Sequence, residues 1–134
     1  MKKIFVFGNG NISWEDFDEF YINPIKDLDI FQCEFIICEF TGVDTLMMEF
    51  LKNKCEKVTI LHIGERPRYF ASKFRTYSGS WKIIGGFNSD SERDNHAISL
   101  CTHFLAKDFN SDDKVKSGTF KNIEKCFALN KMRI

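Results

Sequence analysis

No apolar run in these 134 residues approaches the roughly 20 residues that a membrane-spanning helix needs. There is no excess of either charge: 19 Lys and Arg stand against 19 Asp and Glu. Dedicated nucleic-acid surfaces are basic, so this balance disfavours a DNA- or RNA-binding role, although Lys114 to Lys125 contains four lysines. The five cysteines (Cys33, Cys38, Cys55, Cys101 and Cys126) show neither CxxC nor CxxxC spacing. Scattered in this way, three of them in apolar runs, they read as buried free thiols of a reducing compartment. His62, His96 and His103 share no ligand-like spacing with Cys or carboxylates, so no metal site is expected, and no resident cofactor is implied. No Ser-His-Asp or Cys-His arrangement can be argued. There is no internal repeat, low-complexity tract or linker. The first apolar stretch, after Lys2 and Lys3, is too short for a signal peptide and reads as a strand. One soluble, cytoplasmic domain over residues 1–134 is expected, with 43% apolar residues and fifteen Phe to fill its core.

What is present is an alternation of short apolar runs and amphipathic stretches. Ile4 to Phe7, Phe35 to Cys38, Val58 to Ile63, Trp81 to Ile84 and His103 to Ala106 read as strands, and Lys131 to Ile134 as a final short edge strand. Runs with no polar alternation suit strands covered on both faces. Between them, Ser13 is an N-cap candidate for a helix with Phe17, Phe20, Tyr21, Ile25 and Leu28 on one face, kinked or shortened by Pro24. Leu46, Met47, Phe50 and Leu51 mark a second helix. Residues 91–102 form a third, with Ala97, Ile98 and Cys101 inward. Phe120, Ile123, Phe127 and Ala128 or Leu129 mark a fourth. Residues 65–80 lack a period and read as a loop with a short helix. The pattern predicts an α/β fold: a single Rossmann-like, three-layer domain with a mainly parallel sheet.

Right-handed crossovers bring the turns after the first, second and His103 strands to one sheet edge, where open α/β folds bind ligands. Each is a candidate. Gly8-Asn9-Gly10 ends the first strand; Thr41-Gly42-Val43-Asp44-Thr45 opens a helix after the second. Ser117-Gly118-Thr119 opens the last helix, whose unpaired N–H groups and partial positive charge make it an anion site. Each of these types also serves in an ordinary turn or helix cap.

Three segments, in order, resemble the SLOG superfamily, which joins the DNA-processing protein A fold with the LOG "lysine decarboxylase-like" proteins. They are Val6 to Ile12, Cys38 to Thr45, and the stretch from Glu92-Arg93-Asp94 through Ser117-Gly118-Thr119-Phe120-Lys121-Asn122-Ile123. The resemblance implies a nucleotide-binding domain that forms a homodimer or higher homo-oligomer. It also implies departures. LOG enzymes cleave an N-glycosidic bond with a glutamate three residues after the Gly-Thr threonine; here that position is Asn122, which cannot act as a base. Gly10 stands where one branch has an arginine.

Binding candidates are therefore Gly8, Asn9, Gly10, Thr41, Gly42, Asp44, Thr45, Ser117, Gly118, Thr119 and Asn122. Arg66, Arg68 and Tyr69, after the third strand, could pair with phosphate or stack on a base, and Trp81 is a further stacking candidate. The expected function is non-catalytic sensing or sequestration of a nucleotide-derived small molecule, such as an NAD-derived or cyclic nucleotide signal. The alternative is a nucleotide N-glycosidase or deoxyribosyltransferase-like enzyme using Glu39, Asp44 or Glu49. A third reading, a DNA- or protein-interaction module, is disfavoured by the neutral charge.

Overall fold

A computed structural model describes the whole chain, Met1 to Ile134. Six strands form one sheet: β1 (Lys2–Val6), β2 (Cys33–Ile37), β3 (Val58–Ile63), β4 (Lys82–Phe87), β5 (His103–Leu105) and β6 (Met132–Arg133). Their order is β4-β3-β2-β1-β5-β6 and every pairing is parallel. The winding runs outward from β1 to β4, then returns to place β5 on the other side of β1.

The apolar runs are explained by two cores, one on each face. Successive side chains of a strand point to opposite sides. Ile4, Val6, Phe35, Ile37 and Ile60 face one way, against Phe17, Tyr21, Ile25, Val43, Met47 and Leu51. Phe5, Phe7, Ile36, Leu61 and Phe104 face the other, against Ala97, Ile98, Ile123 and Cys126. The first layer consists of α1 (Trp14–Phe17), α2 (Asn23–Lys26) and α3 (Val43–Leu51); the second consists of α4 (Asp90–Leu100) and α5 (Gly118–Ala128). This is the Rossmann-like three-layer architecture. No helix is long and apolar enough to cross a membrane.

Pro24 does not shorten the first helix. A π turn over Asp18–Ile22 lies between α1 and α2, with the Asn23 N–H donating to the Asp18 carbonyl. The wider turn absorbs the donor that proline lacks, and the backbone stays helical from Trp14 to Lys26. Ser13 caps the start, accepting from the Asp16 N–H at 3.2 Å.

Two further expectations change. Gly85 and Gly86 lie inside β4, which continues to Phe87. The buried face of α5 is Thr119, Asn122, Ile123 and Cys126, while Phe127 and Leu129 are exposed. The helix is rolled so that its polar first turns face the sheet edge and Ile123 and Cys126 reach the second core. Phe127 keeps an edge contact with Phe104, ring centroids 5.1 Å apart.

Candidate functional site

A cleft of about 330 Å³ opens at the carboxyl ends of β1 and β5, where the winding reverses. The turns after β1 and β2 meet there backbone to backbone. Gly42 has φ +79°, and a Cβ on it would lie 2.4 Å from the Asn9 carbonyl and 2.6 Å from the Gly10 Cα. Gly8 is equally constrained: a Cβ would lie 2.2 Å from the Tyr21 hydroxyl and 2.6 Å from Val43. Both glycines are thus required by the packing of the turns.

Where β1 and β5 part, the Tyr21 hydroxyl bridges them. It donates to the Phe7 carbonyl at 2.8 Å and accepts from the Lys107 N–H at 3.0 Å. Burial pushes this phenol well above the usual tyrosine range. A hydroxyl from the first layer therefore takes over where the ladder ends.

The third turn is tied to the first by Asn9. Its Oδ1 accepts from the Phe109 N–H at 2.7 Å, and its Nδ2 donates to Asp108 at 3.1 Å and to the Thr119 hydroxyl at 3.3 Å. Ser117 is the N-cap of α5, accepting from the Phe120 N–H at 3.0 Å and donating to Asp108 at 2.7 Å. Partial burial works to raise the Asp108 carboxyl, but hydrogen bonds from Ser111, Ser117, Asn110 and Asn9 outweigh it and bring the group down to about 2. The side chains of Asn9 and Ser117 are therefore occupied in building the wall. The backbone of Gly118 and Thr119 also lines the cleft: as the first residues of α5 their N–H groups have no intrahelical acceptor, and nothing lies within 4 Å of a Cβ built on Gly118.

The opposite wall is ionic. Glu39 is buried, and its carboxylate accepts from the Ile63 N–H at 2.8 Å, from Arg68 Nε and Nη2 at 3.1 and 2.7 Å, and from Arg93 Nη1 at 2.8 Å. Arg93, also buried, donates from Nε and Nη2 to Asp94 Oδ1 at 3.1 and 3.0 Å and pairs with Asp90 at 3.2 Å. Asn122 donates to the other oxygen of Asp94 at 3.0 Å. Buried charge is tolerated here because every ion has opposite partners and hydrogen bonds. Asp44 differs. Its Oδ2 accepts from the Phe40 N–H at 3.0 Å, while Oδ1 has no partner within the protein and the residue lines the cleft. Burial raises its carboxyl to about 7, against the opposing pull of the Phe40 N–H and Arg93.

Of the sequence candidates, Gly8, Asn9, Gly10, Asp44, Ser117, Gly118, Thr119 and Asn122 line the cleft together. Others lie elsewhere. Trp81 is buried in the first core, donating from Nε1 to the Cys55 carbonyl at 2.8 Å, with its ring edge-on to Phe70. It is a core residue, because its indole needs both apolar cover and an acceptor. Tyr69 bonds to Glu49, which also pairs with Lys52 at 2.5 Å; these bonds hold the Glu49 carboxyl below its usual value. Neither residue lines the cleft. Arg66 is exposed and Arg68 is held by Glu39. Thr41 and Thr45 bond to the carbonyls of Gly10 and Gly42 at 3.5 and 3.0 Å and brace the second turn.

Sequence reasoning assigned no role to Asp90, Arg93 or Asp94, nor to Phe40 and Asn110, which also line the cleft. The available signal was the start of α4: Ser89 accepts from the Glu92 N–H at 3.1 Å, a cap that places Arg93 and Asp94 in the first turns. That α4 crosses back over the second face, and so reaches the cleft, is a matter of topology. The five cysteines are free and buried.

The winding, the reversal between β1 and β5 and the cleft at that point define a doubly wound α/β protein with its pocket at the topological switch point. No protein-family model, curated protein or solved structure matches the chain.

Proposed function

We propose that this cleft binds a nucleotide-derived small molecule and holds it without turning it over, as a sensing or sequestering domain of SLOG type. The observation that carries the reading is the N-terminus of α5 at the cleft: Gly118 and Thr119 line it, Gly118 is exposed, and a Cβ built on Gly118 would meet nothing within 4 Å. Aligned peptide dipoles and free donors favour a phosphate there. The volume, about 330 Å³, lies at the small end of ligand pockets and suits a mononucleotide-sized ligand.

The carboxylates tied to arginines support holding over cleavage, and Asp44, with a free Oδ1 and a carboxyl raised to about 7, is the one left for the alternative of acid or base catalysis. Glu39 has four donors, both oxygens of Asp94 are engaged, and the position three residues after Thr119, a glutamate in the LOG pattern, is Asn122. A carboxylate tied to arginines is a poor nucleophile and a poor base.

Calorimetric titration with AMP, cyclic AMP and ADP-ribose, followed by mass spectrometry of the recovered ligand, tests this. Saturable binding with the ligand intact is expected. Release of free base would replace the proposal with the N-glycosidase reading, and absence of binding to all three would remove it.

A further inference from the structure

We infer that Phe40 is the platform on which the ligand's aromatic base stacks, so that the cleft selects base-bearing nucleotides over bare sugar phosphates. This rests on the reading of the cleft as a nucleotide site.

Phe40 lines the cleft, yet it remains 43% exposed. The other aromatic rings on the cleft, Phe5 and Phe7, are buried in the sheet, and the two aromatics that sequence reasoning put forward, Tyr69 and Trp81, point elsewhere. Three neighbours surround the residue. Its backbone N–H donates to Asp44 Oδ2 at 3.0 Å. Its edge lies against Gly10, where a Cβ would come within 3.0 Å of Cε1. The Arg68 guanidinium sits over the ring, 5.6 Å from its centroid. Arg68 is itself anchored by two bonds to Glu39 and one to Asp90 at 3.2 Å. The ring keeps this exposure with the cation beside it, and an accessible aromatic surface is what base stacking requires.

Asp44 adds a polar handle beside it. Its Oδ1 has no protein partner, so a base edge lying on Phe40 would find a hydrogen-bonding oxygen within the same turn. Gly118 and Thr119 line the same cleft as this pair, so a phosphate at the start of α5 and a base on Phe40 would share one cavity.

The test is calorimetric titration of wild type, Phe40→Ala and Phe40→Trp with AMP and with ribose 5-phosphate at one salt concentration. Base–aromatic stacking corresponds to a change of about 5- to 150-fold in affinity. Phe40→Ala is expected to weaken AMP within that range and leave ribose 5-phosphate unchanged, and Phe40→Trp is expected to retain AMP. Equal loss of both probes, or no loss of AMP, overturns the platform. So does a wild type that binds the two probes equally, although the cleft would then remain a phosphate site. If wild type binds neither, the platform and the nucleotide reading fall together. The thermal unfolding of each variant, measured alongside, separates these outcomes from misfolding.

Discussion

Asn122 donates from Nδ2 to Oδ2 of Asp94 at 3.0 Å, so its side chain is occupied in presenting a carboxylate from the neighbouring helix. The same Asp94 takes two bonds from Arg93 on its other oxygen. A chain of contacts thus runs from α5 through α4 to Glu39 beyond β2.

Removing the donor measures that link. Asn122→Leu is expected to destabilise the fold by about 1–3 kcal/mol, the cost of leaving a part-buried charged group short of a hydrogen bond. Asn122→Asp sets two carboxylates together. Its loss of stability is expected to be larger at pH 7 than at pH 4, because protonation of one carboxyl restores a donor. Urea denaturation at both pH values checks the two variants.

Glu39 is the hub of the ionic wall. Glu39→Gln removes the charge shared by Arg68 and Arg93 and is expected to cost about 3–5 kcal/mol, since Arg93 stays buried. Arg68→Ala should cost less, because that side chain is 48% exposed. If Arg68→Ala proved the more damaging in urea denaturation, the hub would lie elsewhere.

Asp44 makes stability depend on pH in an unusual sense for a carboxylate. Burial raises it from 3.8 to about 7 in the folded state, so between those values the native protein holds a proton that the unfolded chain has released. Its contribution is complete below the ordinary carboxyl value and is lost as pH rises through about 7. The charged groups acting on it are Arg93, Asp94 and Glu39. Each unit between folded and unfolded values corresponds to about 1.4 kcal/mol. Asp44→Asn, which keeps an acceptor for the Phe40 N–H, is expected to gain stability relative to wild type as pH is raised from 4 to 8. A difference that stays flat with pH would show that Asp44 titrates normally.

The glycines of the cleft should divide into two kinds. Gly42→Ala forces a side chain into φ +79° and against the Asn9 carbonyl, and is expected to cost more than the roughly 1–2 kcal/mol of the left-handed conformation alone. Gly118→Ala meets nothing within 4 Å, so folding should be unaffected while nucleotide affinity falls. Thermal unfolding beside calorimetry separates the two. Loss of binding without loss of stability at Gly118 is the outcome that marks it as ligand-facing.

Much of this architecture is local, and so it was legible. The unbroken run Ile4 to Phe7 suits a strand covered on both faces, and the structure puts Ile4 and Val6 in one core and Phe5 and Phe7 in the other. Strand and helix alternation gave the α/β class, and the glycine turns at 8–10, 42 and 118 marked the sheet edge where the cleft lies. Tertiary structure decided the rest. Trp81 looked available for stacking until the carbonyl of Cys55 and the ring of Phe70 claimed it from a distance in sequence. The phase of α5 departs from its apolar pattern because its docking face carries Thr119 and Asn122, polar residues that bond across to Asn9 and Asp94. The composition of the cleft depends on the return crossover from β4 to β5, which lays α4 beside α5 and brings Arg93 and Asp94 to the edge. Periodicity records which face of an element is apolar. Which polar groups meet across the sheet is set by the path of the chain, and only the folded molecule shows it.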